Sequence, residues 1–272
     1  MVTHTRMVIH MRPITHTSRV IHTSMVTRMI TPTITTHCCG GEVMSTRAEA
    51  RLSSLSFLRA LHLASPALPI GAYAYSRGLE HAVSVGWVHD EATAYDWISG
   101  VLERSLALLD APILARVHTA LSARDPTTAE HWDAYLRASR ESREVSLEDR
   151  QLGMSLAKLL TELGVAETRR FRDHGSYVTL FALACVHWGV PCREALMAFL
   201  FAASENQVTA ANKLIPLGQT AGQRVLSRLI DRIEPLADRA LALGDDELGS
   251  LTPGLSLASA LHETQYSRLY RS

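Results

Sequence analysis

Few side chains in this sequence stand at spacings that chemistry requires. Cys185, His187 and Cys192 come nearest to a metal-ligating trio. On a helix, residues i and i+2 point to different faces, and Cys192 lies beyond the Pro191 turn, so a buried thiol in an apolar helix is the better reading. Glu80-His81 and Glu263 offer carboxylate and imidazole for acid–base work, but such a neighbour pair more often lies on a solvated surface. Nucleophile elbows, P-loops, dinucleotide-binding glycines and HExxH are missing from the sequence. The stretch Lys213-Leu214-Ile215-Pro216-Leu217-Gly218-Gln219-Thr220-Ala221-Gly222-Gln223 holds one of only two lysines. It has no nucleophile with a base, and it is too apolar for a plain connector. An apolar centre rimmed by amides fits a partner-docking surface.

Residues 1–46 are a different material. His4, His10, His16 and His22 recur every six residues, and four arginines face the single acid Glu42, a charge of +3. Residues 47–272 carry 23 bases and 26 acids, a charge of −3. The tract admits three readings: nickel or zinc binding through imidazoles, an organelle address, or an upstream repeat translated from a misplaced start near Val43 or Met44. Its apolar residues fit neither helix nor strand period, which favours the last. Cys38-Cys39 beside His37 suggests a metal, but adjacent cysteines seldom close comfortably on one tetrahedral ion.

The whole chain of 272 residues is 47% hydrophobic and 20% charged, with no net charge. That balance excludes a disordered chain and a global basic field for nucleic acid. No apolar run reaches the roughly 18 residues of a membrane span. Four cysteines without a CxxC pair point to a reducing cytoplasm rather than a disulfide scaffold.

From residue 47 onward the periodicity is helical, and β-branched alternation is missing. Leu52, Leu55, Leu58 and Leu61 drift around one face of a helix over 49–64, which Ser65-Pro66 stops. Leu68, Pro69, Ile70 and Gly71 form an apolar loop expected to pack on its own fold or a partner. A helix is expected from about Tyr73 to Val85. Asp90 caps the next, which Pro112 should break or kink, and 113–123 follows. Asp125-Pro126 starts another helix. Ser146 is expected to cap a further one, with Asp149 in its first turn. Segments 176–188, 191–207, 208–217, 219–243 and 255–272 complete an all-α domain, one compact bundle of about eight to ten helices.

The charge-dense segment 136–144 allows i,i+4 pairs Arg137–Glu141 and Arg140–Glu144 on a solvated helix, or arginines turned inward to bridge helices. The tail sets Tyr266, Arg268, Leu269, Tyr270 and Arg271 in one run. Tyrosine and arginine are residue types enriched in binding hot spots.

Four segments together resemble the UreF family of urease accessory proteins. They are Ser65-Pro66-Ala67-Leu68-Pro69-Ile70-Gly71-Ala72-Tyr73-Ala74-Tyr75-Ser76-Arg77-Gly78-Leu79-Glu80, the Arg/Ser/Glu run 136–143, the turn 213–223, and the tail 266–272. Ala72 and Ala74 depart from the family's usual residues. The resemblance covers about residues 50–272 and implies a non-enzymatic adaptor without cofactor or bound metal, dimeric, that helps insert nickel into apo-urease. It implies partnership with the nickel-carrying GTPase UreG, like a GTPase regulator, and with the scaffold protein UreD (UreH), and no nucleic acid or membrane partner. The turn residues Lys213, Leu214, Pro216, Gln219 and Gln223 would meet the GTPase. The tail would meet the scaffold, ordering on binding. The alternative is a helical small-molecule enzyme with a site assembled from Tyr75, Glu80, His81 and Lys213.

Overall fold

The computed structural model describes residues 53–272, so the His-rich tract and Cys38-Cys39 lie outside the described residues. Ten α-helices run through the described part: α1 Ser54–Ala64, α2 Leu79–Ser84, α3 Glu91–Val101, α4 Ala111–Ser122, α5 Pro126–Ala138, α6 Arg143–Glu162, α7 Tyr177–His187, α8 Cys192–Leu214, α9 Gln219–Ala242 and α10 Pro253–His262. No strand occurs among the described residues. The all-α bundle expected from the periodicity is thus the observed architecture.

Helix α4 is the centre, with Ile113, Leu114 and Val117 sealed from solvent, and α5, α7, α8 and α9 pack around it. Helix α7 is apolar on every side, and residues 178–185 are all buried, as a helix with no polar face must be.

Local signals place most of the ends. Asp90 accepts the Thr93 N–H at 2.8 Å and closes a capping box. Asp125 caps α5 through Thr128, with Pro126 at the first position. Ser176 caps α7 through the Thr179 N–H.

Elsewhere the structure corrects the expectation. The leucines Leu55, Leu58 and Leu61 of α1 face outward, and the buried face is Ser56, Ala60, Leu63 and Ala64. Small residues at i, i+4 and i+8 let this helix lie close to the bundle, and the Ser56 hydroxyl finds the Trp188 carbonyl at 3.3 Å. The helix expected over 73–85 is only α2, preceded by one 3-10 turn at Ala72–Ala74. Gly78 separates them with φ of 74°, and a Cβ there would lie 3.1 Å from the Ser259 nitrogen of α10. No side chain suits both the left-handed backbone and the close approach.

Pro112 breaks nothing. Leu102–Asp110 form a π-helical stretch that joins α3 to α4 as one continuous rod, so ten helices make nine rods. Proline has no N–H for the carbonyl of Leu108. The Gly249 N–H supplies it at 3.1 Å, and the Leu251 N–H takes the Arg104 carbonyl at 2.9 Å. The connector 244–252 thereby repairs the rod. The cap of α6 is Ser142, not Ser146, which carries Asp149 from the first turn to the helix interior. Segments 191–207 and 208–217 are one helix, α8, because neither Gly nor Pro interrupts it before Ile215-Pro216.

Candidate functional site

The turn between α8 and α9 is shaped by its backbone. The Ile215 N–H donates to the Ala211 carbonyl at 2.9 Å, and the Leu217 N–H to the Ile215 carbonyl at 2.7 Å. Ile215 is buried, and Leu214 and Leu217 pack half-buried against the core. The apolar character of the stretch therefore serves mainly the protein's own interior, and what faces solvent is Lys213, Pro216, Gly218, Gln219, Thr220 and Gln223. A Cβ at Gly222 would fall 2.4 Å from the Asn212 side chain, so any larger residue there would have to push the Asn212 amide aside.

The apolar loop also turns inward. Leu68 and Ile70 are buried, Pro69 is exposed and Gly71 is half-buried with φ of 80°. It joins the core cluster of its own fold.

The tail is held by side chains from far along the chain. Tyr270 and Ser272 are buried, whereas Tyr266, Arg268, Leu269 and Arg271 are exposed. Leu269 and Tyr270 donate their backbone N–H groups to the two carboxylate oxygens of Glu80, at 2.6 and 2.8 Å. The Arg271 N–H donates to the Ala74 carbonyl at 2.8 Å, and the Ser76 N–H and hydroxyl both donate to the Ser272 main-chain oxygen. The Ser272 hydroxyl donates to Glu148 at 2.7 Å. The tail is thus already ordered on its own fold, where ordering only on binding was expected. A groove of about 700 Å³ runs beside it, lined by Leu147 and Gln151 of α6 and by Leu269 and Arg271.

Beneath the tail lies an ion network that the sequence did not display. Arg140 is buried and pairs with Asp110 at 2.8 Å and Asp149 at 3.1 Å. Arg77 donates to Glu148 at 3.0 Å and stands 3.8 Å from Asp110. Burial alone would lower the pKa of the Arg140 guanidinium, and the adjacent Asp110 and Asp149 carboxylates outweigh it and hold it raised. Asp149 also accepts the Tyr177 N–H at 3.1 Å, and Asp133 accepts the Ser176 N–H at 2.8 Å. These two buried acids therefore satisfy the free amides at the start of α7. Of the two readings of segment 136–144, inward bridging holds for Arg140. Arg137 stays on its helix face but pairs with Asp133 rather than Glu141. Helix α5 ends at Ala138, so neither expected i,i+4 pair can form.

The residues proposed for chemistry separate. The partner of Glu80 is His262, not His81. His81 faces Gln265 at 3.2 Å, and the Tyr75 hydroxyl donates to Gln151. No hydrogen bond or ion pair joins Tyr75, Glu80, His81 and Lys213 among the described residues. Cys185 is buried, and burial raises its thiol pKa; burial also raises that of half-buried Cys192, to about 11. His187 pairs with Glu167 at 3.4 Å instead. No helix of the described residues is long and apolar enough to cross a membrane.

The UreF family model matches residues 88–230, which include the Arg/Ser/Glu segment and the α8–α9 turn. The urease accessory protein UreF of Alkalilimnicola ehrlichii is 48% identical over 216 residues, 79% of this chain and 95% of that protein. That of Chromohalobacter salexigens is 46% identical over 230 residues, 84% of this chain and all of that protein. That of Marinobacter nauticus is 47% identical over 219 residues. At such identity over nearly the full length of these relatives, the motifs and the helical architecture have one explanation: the chain belongs to the UreF family of urease accessory proteins.

Proposed function

We propose that this protein is a urease maturation chaperone, a non-catalytic adaptor that couples the nickel-carrying GTPase UreG and the scaffold protein UreD/UreH to apo-urease for nickel insertion. It works in the cytoplasm as a homodimer. The GTPase meets Lys213, Leu214, Pro216, Gln219 and Gln223, and the scaffold meets Tyr266, Arg268, Leu269, Tyr270 and Arg271. The observation that carries this reading is the α8–α9 turn. The Ile215 and Leu217 N–H groups find partners within the turn and Ile215 is buried, while Lys213, Pro216, Gln219 and Gln223 are exposed. Interfaces use such polar rims around a small apolar centre, which here is half-buried Leu214 with exposed Pro216.

The test is capture of the GTPase by purified protein. Gln219→Ala or Lys213→Ala should weaken capture while the helical circular dichroism stays unchanged. Full capture by both variants would remove the turn from the interface, and loss of helical signal would make it core. Residues 1–46 are read as a dispensable extension. Deleting residues 1–43 should change neither the melting temperature nor urease activation in cells.

A further inference from the structure

One closed chain of polar contacts begins and ends on the tail. The Leu269 and Tyr270 N–H groups donate to Glu80 of α2. The same carboxylate faces Nε2 of His262, in α10, at 3.2 Å. Nδ1 of that ring faces Glu144 of α6 at 2.8 Å, and Glu144 pairs with Arg268 of the tail at 3.1 Å. Glu80, His262 and Glu144 are all buried.

Between these anchors the tail alternates. Leu269 is exposed, Tyr270 buried, Arg271 exposed and Ser272 buried. The chain bends at Leu269 and Tyr270, and two successive backbone N–H groups turned to the same side make a concave nest for an anion. The Glu80 carboxylate grips the amides of 269 and 270, the two residues where the faces divide.

We propose that Glu80 is the positioning residue that holds the bend of the tail, so that Leu269 and Arg271 face outward and Tyr270 inward. This rests on the reading that the tail docks the scaffold protein. A carboxylate is required by the donors around it. Two backbone N–H groups need an acceptor each, and the imidazole faces the second oxygen. A glutamine offers one acceptor and turns an N–H₂ group toward a donor. An aspartate is one methylene too short to reach both amides from the same backbone position.

The test is hydrogen exchange by mass spectrometry on the full chain, with binding of purified scaffold protein measured in parallel. Glu80→Gln should speed exchange of the peptide 264–272 by roughly tenfold or more, while peptides from α4 and α7 keep wild-type rates. It should also weaken scaffold binding in the full chain, with no further loss when added to a chain truncated after Thr264. Leu269→Pro removes one of the two donors from an exposed position and leaves Glu80 in place, so it carries the exchange readout if Glu80→Gln does not fold, whereas scaffold binding is read only from Glu80→Gln because Leu269 belongs to the docking set. Wild-type exchange of the tail in both variants overturns the proposal, as does a uniform acceleration of α4, α7 and tail alike. Faster tail exchange with scaffold binding untouched by Glu80→Gln and by truncation upholds the positioning role and sinks the docking reading instead.

Discussion

At the α8–α9 turn, shape comes from neighbours: carbonyls within four residues, a proline, and one glycine that lets Asn212 close in. In the tail it comes from Ser76, Glu80, Glu144 and Glu148, residues 124 to 196 positions away in sequence. Both segments combine apolar and polar residues in a short run, and both present an exposed polar edge. The turn should therefore tolerate changes elsewhere in the molecule, whereas the tail should answer to substitutions deep in the bundle. A surface that depends on buried charges inherits their sensitivity, because removing one partner leaves the other uncompensated.

The largest effect should come from Arg140→Ala. It strands Asp110 and Asp149 without their shared cation and should cost about 3–5 kcal/mol, enough to lower the melting temperature by roughly ten degrees or more. Thermal unfolding by circular dichroism measures it, beside Lys213→Ala, which should stay within about 0.5 kcal/mol. Equal melting temperatures for these two variants would erase the distinction between the regions.

Truncation after Thr264 comes next. Helical content should survive, but Glu80, Ser76 and Glu148 lose their tail partners and Tyr270 its buried site, for roughly 2–3 kcal/mol. Denaturant midpoints of the truncated and full chains give the number. Among single changes, Tyr270→Ala should cost more than Ser272→Ala.

Gly222→Ala sharpens the other side of the comparison. Its methyl group must displace Asn212, an overpacking cost of about 1–3 kcal/mol. GTPase capture should fall, while hydrogen exchange in the tail stays at the wild-type rate. A coupled change in the tail would mean that the two regions are not separately built.

The smallest effect is a pH dependence that belongs to neither region, at His118 of α4. Burial lowers the pKa of His118 below its ordinary 6.5, against the opposing bond from its ring to the Val190 carbonyl. The folded state thus takes up the proton less readily than the unfolded one. The stabilisation is fully present above pH 6.5 and is lost as pH falls through the lower folded value. His118→Gln keeps a donor for Val190 and should reduce the loss of stability between about pH 7 and 5. Denaturant midpoints at the two pH values decide it, and an unchanged slope would acquit His118.

What the sequence alone determined is what neighbours within four or five residues control. The helical period, the caps Asp90 and Asp125, and the stop at Ser65-Pro66 depend on local backbone groups whose partners are close at hand. The exposed rim Lys213, Pro216, Gln219 and Gln223 was legible for the same reason, since proline and glycine mark the turn wherever it lies. The inward face of α1 was misread because leucine looks like core, while the close approach needed serine and alanine. The Ser142 cap was missed because Ser146 offers the same side chain four residues later. Only the tertiary structure decided that Glu80 meets His262, 182 residues on, rather than His81 beside it. It also decided that Arg140 goes inside and that the tail alternates against α2. Each of these is a choice of charge partner across the bundle, and Coulomb attraction and hydrogen bonding depend on distance in space. The fold sets that distance, and chain spacing does not record it.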